Sequence, residues 1–496
     1  MTKKLNLLYG ILLFIIIARV FTMVTFPLTD TTEARYAHVA YLMASTNDWI
    51  TPYYDVGIPF WGKPPFSFWV EAISYKIFGM HDFSARVPAF IFTLLTMGLI
   101  FKYLKTFYNQ RAGLWGAIIY LSFLLTYGLS GAVLTDPYLT FATTLSMISF
   151  FMVIRDQKSY WKYLFFLGIA IGLIAKGPLA PVLIAGAITL WIVFDFKRRF
   201  KELRKFPWLK GTLLTIILSV PWYILAELKT PGFLDYFIVG EHFKRFVDPG
   251  WSGDLYGSSH KKPHGMIWLM WLESAFPWVF VALYVLFKNL RSKTKIFNAF
   301  TILKQDSEIN YFIAWSIFTM MFFTLAGNIL WTYILPALPA LALLLAIYFD
   351  KTGYKIEFKT YNLLYLSALF VPIVLTLLNF YTIEHREKLK TEKYLVEYYK
   401  SVSEPGDNIY YLDSRPFSAQ YYSNDKAVLV LIYAKGEKKH SKTMKLELFK
   451  KKLENSSHKS FIAIPKKRVQ SLQSQINKPM KKIFENRRYM LFEVEA

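Results

Sequence analysis

The chain has 496 residues, 54% of them hydrophobic and 18% aromatic, and only 19% charged. That balance excludes an ordinary soluble globule, and apolar blocks of roughly 18–24 residues point to a polytopic membrane protein. The net charge of +24 does not indicate nucleic acid, because Lys and Arg gather between the apolar blocks, and the lack of cysteine excludes disulfides and thiolate metal sites.

In chain order, the apolar runs predict about eleven spanning helices, near 5–27, 84–106, 112–129, 137–154, 162–176, 178–196, 208–227, 265–288, 310–328, 330–349 and 361–383. The first is read as an uncleaved span that follows Lys3 and Lys4, and Arg19 within it calls for snorkelling or a buried ion pair. With Lys3 and Lys4 on the cytoplasmic side, the alternate short loops near 102–111, 155–162, 197–210, 288–295 and 351–355 are all basic. The opposite short loops are poor in Lys and Arg, as the positive-inside rule requires. Two long loops, about 28–83 and 228–264, then lie outside, and Pro65 to Phe78 reads as an amphipathic segment along the interface. Glu273 sits within an apolar run without an evident partner.

After Ile383 the composition turns Lys-rich. Asn408–Leu412, Ala427–Ile432, Lys459–Ile464 and Tyr489–Val494 read as strands between polar helices. The expected architecture is an all-α membrane domain over 1–383 and a small extracytoplasmic α/β domain over 384–496.

The candidate chemistry lies on the outer side. Asp30-Thr-Thr-Glu33-Ala-Arg35-Tyr36 follows the first span. Its carboxylates could act as general bases at the water–lipid boundary, or Asp30 could cap a helix that Glu33 completes. Lys63, before two prolines, could hold a phosphate as a point charge or bind a lipid headgroup. Asp136-Pro137 and Lys176-Gly-Pro stand at outer helix ends, where Asp136 could also be a cap. Glu241-His242-Phe-Lys-Arg245-Phe offers a carboxylate, an imidazole and a guanidinium, with His242 and Arg245 on one helical face, or else a solvated amphipathic helix.

Asp30-Thr-Thr-Glu-Ala-Arg-Tyr-Ala, Asp48-Trp-Ile-Thr-Pro, Lys63-Pro-Pro with Trp69, Phe78-Gly and Arg86-Val-Pro occur in that order. Together with Asp136-Pro, Lys176-Gly and Glu241-His-Phe-Lys-Arg-Phe, they resemble the polyprenyl-phosphate-sugar glycosyltransferases of the membrane-embedded GT-C class. That class includes the aminoarabinose transferases of lipid A, lipid A galacturonosyltransferases and protein O-mannosyltransferases. The resemblance covers about residues 1–350. It implies a catalytic region at Asp30, Glu33 and Asp136, with Lys63 and Arg245 on the donor phosphate. Arg35, Tyr36, Lys176 and Glu241 would support them. His242 would match a position implicated in divalent-metal binding in the aminoarabinose transferases. Thr32 precedes Glu33 where adjacent acidic residues are common in the family, and Gly62 stands where those enzymes place a glutamate ligand, which leaves a divalent-metal cofactor unassigned.

The implied activity is inverting transfer of one sugar from a polyprenyl-phosphate carrier to a lipid A-like or protein acceptor. It would take place on the periplasmic face of a bacterial inner membrane, with membrane lipids and no nucleic acid as further partners. A lipid or sugar transporter is the alternative from another class, although its ionisable groups would be expected near the bilayer midplane. A non-enzymatic envelope scaffold is a third reading, in which substitutions of the loop carboxylates would be silent.

Overall fold

A computed structural model describes residues 2–248, 250–257, 260–290, 306–351, 358–432, 442–476 and 478–495. Most of the expected basic loop at 288–295 and of that at 351–355 lies outside the described residues. Each of the eleven expected spans contains helix. Among the described residues, six helices are long and apolar enough to cross a membrane: Leu5–Thr25, Asp82–Phe107, Asp136–Ile154, Trp208–Lys229, Trp331–Lys351 and Asn362–Glu384. A bent pair, Met266–Ser274 with Trp278–Tyr284, makes a seventh if it counts as one span, so length and apolarity alone do not reach eleven. Trp161–Lys176 and Leu179–Val193 are shorter helices.

Two of the expected spans are broken, and the breaks serve each other. The run near 112–129 divides at Phe123 into Gln110–Ser122 and Leu124–Leu129. The run near 265–288 turns by 106° at Phe276-Pro277, where proline has no N–H to continue a helix. The Leu124 N–H donates to the Phe276 carbonyl at 2.8 Å, and Trp278 Nε1 donates to Ser122 Oγ at 2.8 Å. Backbone groups released from one helix are thereby satisfied at the other, as a low-dielectric setting demands. Glu273, itself exposed, is the next-to-last residue of Met266–Ser274, just before this bend. Arg19 meets backbone carbonyls at a helix end. It donates to the carbonyls of Ser130 (2.5 Å) and Gly128 (3.1 Å), at the C-terminal end of Leu124–Leu129, where the helix dipole favours a cation.

The contacts gather into two compact units. The first comprises Met1–Phe21, Trp61–Ser67 and Val87–Thr376; the second comprises Thr22–Phe60, Phe68–Arg86 and Leu377–Ala496. In the first, Asp136–Ile154 and Trp161–Lys176 pack backbone to backbone across Gly168. A Cβ there would lie 2.3 Å from Ser146 Oγ and 2.7 Å from the Ala142 carbonyl, and small residues allow this close approach in membrane helices. Phe150, Phe151, Trp191 and Tyr311 fill the adjoining core. Trp208–Lys229 instead exposes Leu209, Leu213, Ile217 and Leu228, an apolar face suited to lipid.

The second unit contains helix Thr32–Thr46, a hairpin of β1 (Tyr53–Asp55) and β2 (Ile58–Pro59), and a C-terminal six-stranded sheet. The sheet strands are β3 (Asn408–Leu412), β4 (Val428–Leu431), β5 (Thr443–Lys445), β6 (Ser460–Pro465), β7 (Lys481–Glu485) and β8 (Tyr489–Val494), in the order β5-β4-β3-β6-β8-β7. β5, β4, β3 and β6 are parallel, while β8 is antiparallel to both β6 and β7. Both faces are covered. Ile409 and Tyr411 join one core with Leu395 and Phe461, and Tyr410 and Leu412 join the other with Phe449 and Ile462, as the two-residue period of a strand dictates.

Candidate active site

Six of the residues singled out in the sequence meet in the first unit. Lys63 Nζ lies 3.3 Å from Glu241 Oε2, and Arg245 Nη1 donates to both Glu241 oxygens at 3.1 Å. Arg245 also lies 3.4 Å from Asp254. Lys176 Nζ contacts Asp136 Oδ1 at 2.5 Å and stands 5.0 Å above the Tyr333 ring. Lys63 and Arg245 are close enough to Lys176 to interact with it electrostatically, and Tyr333 senses Lys63, Arg245, Asp136 and Glu241. His242 joins the two halves by placing Nε2 3.1 Å from the Lys176 carbonyl.

The local fold explains this convergence. Asp235–Lys244 is a π-helix, a winding that appears mainly at functional sites. It aligns residues five apart: Tyr236 OH donates to Glu241 Oε1 at 3.3 Å, and His242 Nδ1 lies 2.7 Å from the Phe237 carbonyl. The expected sharing of a face by His242 and Arg245 is therefore not what forms. Arg245 pairs with Glu241 four residues back, and His242 turns toward Lys176. Trp61 ties the Lys63 segment to the same loop, since its Nε1 donates to Thr230 Oγ1 at 3.1 Å and its N–H to Tyr256 OH at 3.0 Å. Gly177, at φ 74°, allows Phe237 and His242 to approach; a Cβ there would meet the Phe237 ring at 2.7 Å.

Asp136 is the first residue of its helix, and the N-cap position, Thr135, makes no side-chain cap bond. The carboxylate serves Lys176 instead of capping. Burial opposes ionisation of Glu241, but Lys63 and Arg245 outweigh it and hold the carboxyl below its usual range. Lys63 is 20% exposed, against 6% for Glu241 and 8% for Lys176, so it is the cation most open to an incoming group.

Asp30, Glu33, Arg35 and Tyr36 belong to the second unit. Helix Thr32–Thr46 lacks a side-chain cap bond from Thr31, and Asp30 does not cap it. Asp30 accepts from Ser418 N (2.9 Å), Ser418 Oγ (2.5 Å) and Arg488 Nη2 (2.5 Å). Glu33 accepts from Arg86 Nε at 3.3 Å and Nη2 at 3.1 Å. Arg86 also donates to the carbonyls of Met23, Phe26 and Pro27. Arg488 bridges Asp30 to the buried Glu392, which also accepts from Asn486. Arg35 lies over the rings of Tyr36, Phe60 and Phe417, and Tyr36 is buried against Phe60 and Phe68.

A metal does not fit at His242. Both ring nitrogens face backbone carbonyls, and Gly62 has no side chain to offer. The sequence reading did not single out Asp254, Tyr333 or Tyr236, and it gave Arg86 and Arg488 no role. Asp254 and Tyr236 lie in the long outer loop near 228–264, and that placement was their only signal.

Residues 62–225 match the family model described as dolichyl-phosphate-mannose-protein mannosyltransferase. The undecaprenyl phosphate-alpha-4-amino-4-deoxy-L-arabinose arabinosyl transferase of Aeromonas hydrophila is 31% identical over 326 residues, covering 64% of this chain and 56% of that protein. The transferase of the same name from Erwinia tasmaniensis is 29% identical, over 63% of this chain and 54% of its own. The chain thus spans little more than half the length of these curated relatives. In fold it is similar to ArnT from Cupriavidus metallidurans bound to undecaprenyl phosphate, with a TM-score of 0.79 at 15% identity over 99% of this chain and 98% of that one. The chain is thus a multi-pass membrane protein that shares the fold of ArnT and is similar in sequence to transferases named for undecaprenyl phosphate.

Proposed function

We propose that the protein is a glycosyltransferase that moves one sugar from a polyprenyl-phosphate carrier to an envelope acceptor. The reaction takes place on the non-cytoplasmic face of a bacterial inner membrane. The observation that carries this reading is the gathering of Lys63, Lys176 and Arg245 around Glu241 and Asp136. Sequence kinship to transferases named for undecaprenyl phosphate supports the choice of donor.

The donor phosphate is a diester with one negative charge. An acceptor oxygen attacks the anomeric carbon, the bond from that carbon to the phosphate oxygen breaks, and the carrier leaves as a monoester bearing a second charge. In-line attack inverts the anomeric centre. The leaving group needs positive charge placed in advance more than it needs a proton. Lys63 and Arg245 supply that charge, and Glu241 keeps both cations aimed at one point until a phosphate shares them. Lys176, fixed by Asp136, supports the same field.

Asp30 and Glu33, the candidate general bases, would deprotonate or orient the acceptor. Both oxygens of Glu33 already accept from Arg86, and Asp30 is held by Arg488 and Ser418. An acceptor hydroxyl would have to share one of these contacts before losing its proton. A phosphate acceptor has no such proton to lose, which favours a lipid A-like acceptor over a protein hydroxyl.

The test is reconstitution of the purified chain in vesicles with a polyprenyl-phosphate sugar and a lipid A acceptor, followed by mass spectrometry. The expected products are free polyprenyl phosphate and an acceptor heavier by one sugar. Sugar crossing the vesicle wall with neither product would overturn the reading in favour of a transporter.

A further inference from the structure

The second unit holds a cluster that none of these roles uses. His38 lies on helix Thr32–Thr46, Asp55 closes β1, and Asp425 follows helix Phe417–Tyr422 in a left-handed turn (φ 58°). All three are buried, and one donor atom from each lies within 4.8 Å of the other two. His38 Nε2 and Asp425 Oδ1 are 3.9 Å apart, too far for a hydrogen bond. Two bonds of about 2.0–2.2 Å at a tetrahedral angle to a shared zinc ion would set ligand atoms roughly 3.3–3.6 Å apart, so the pair would close by a few tenths of an ångström on binding.

Among the described residues, neither ring nitrogen of His38 has a hydrogen-bond partner, nor has Asp425 Oδ1. Buried polar atoms are rarely left so. A fully buried imidazole with both nitrogens unserved, beside an unserved carboxylate oxygen, signals something that binds between them. The surrounding contacts orient the ligands. Arg415 Nη2 donates to Asp55 Oδ2 at 2.7 Å, Val56 N to Asp55 Oδ1 at 2.9 Å, and Lys442 Nζ lies 2.9 Å from Asp425 Oδ2. This leaves Asp425 Oδ1 turned toward His38, as outer partners do around metal ligands.

We infer that His38, Asp55 and Asp425 form a structural site for a first-row divalent cation, zinc in preference to manganese. Arg415 and Lys442 already offset the two carboxylates. The cation is therefore held by its bonds, the imidazole foremost, more than by net charge, which disfavours magnesium and calcium. The ion would join the helix that carries Glu33 and the β1–β2 hairpin to the segment between Tyr422 and β4, all within the second unit.

The full-length protein, purified in detergent, stripped with a chelator and dialysed against zinc, should retain about one zinc per chain by elemental analysis. Zinc should raise its unfolding temperature. Retention should fall at least tenfold in His38→Gln and in Asp425→Asn and persist in His242→Gln. Should the first two variants not fold, X-ray absorption of the unmodified zinc-loaded chain decides: one imidazole with oxygen neighbours supports the site, and an oxygen-only shell overturns it. No retained zinc in the unmodified chain, or zinc lost in His242→Gln and kept in His38→Gln, also overturns it.

Discussion

Glu241 in the first unit and Glu33 in the second both sit against cations, yet the two pairings differ in kind. Glu33 accepts two bonds from Arg86, whose guanidinium also spans three backbone carbonyls. Glu241 meets an ammonium, Lys63, as well as Arg245, and Lys63 is the more exposed side chain. An arginine fork fixes a carboxylate in one geometry, while lysine is a compact point charge on a flexible stem. The difference separates a clamp that holds structure from a charge that can pass to an incoming phosphate.

Breaking the clamp should have the largest effect. Arg86→Ala removes both bonds to Glu33 and leaves three carbonyls without this donor. Loss of one partner of a buried pair costs about 3–5 kcal/mol, so thermal unfolding in detergent should show a large fall or the protein should fail to accumulate. A change within about 0.5 kcal/mol, the level of an ordinary surface substitution, would mean that the guanidinium is not holding this segment.

The complementary change tests the exchangeable charge. Lys63→Ala should lower sugar transfer about 100- to 1,000-fold, the usual loss when one charge-stabilising donor is removed. Protein level and unfolding temperature should stay close to the parent's. Lys63→Arg keeps the charge but not its shape, and should fall between. Parental transfer rates in Lys63→Ala would remove this cluster from the donor site.

The helices were legible because hydropathy and Lys/Arg bias act locally, and β3 and β8 were found at the bounds the structure gives them. β5 and β7 were not found. They are edge strands reading Thr-Met-Lys and Lys-Lys-Ile-Phe-Glu, and charge on an edge suppresses both pairing with strangers and the hydrophobic alternation that marks a strand. The breaks at Phe123 and Pro277 were missed for a related reason, because each is satisfied by the other across 152 positions, from Leu124 to Phe276. For the site, residue types and sidedness were readable, whereas partners were not. Arg488 stands 458 positions from Asp30, and no periodicity links them. The π-helix was hidden as well, since its apolar pattern differs little from that of an α-helix over ten residues.

The smallest expected effect sharpens the comparison within the second unit. Glu392 is fully buried between Asn486 and Arg488, and burial outweighs the pull of Arg488, raising its pKa from about 4.5 to about 7. A carboxyl whose pKa is higher folded than unfolded adds stability that is fully present below the unfolded value and is lost as pH rises through the folded one. Glutamine cannot titrate, so the unfolding temperature of the parent minus that of Glu392→Gln should shrink by a few degrees between about pH 5 and pH 8. If the difference instead stays flat across this range, Glu392 is ionised throughout. Arg488 would then hold two carboxylates, Asp30 and Glu392, as Arg86 holds Glu33, and the clamp would extend to both acidic residues of the first-loop motif.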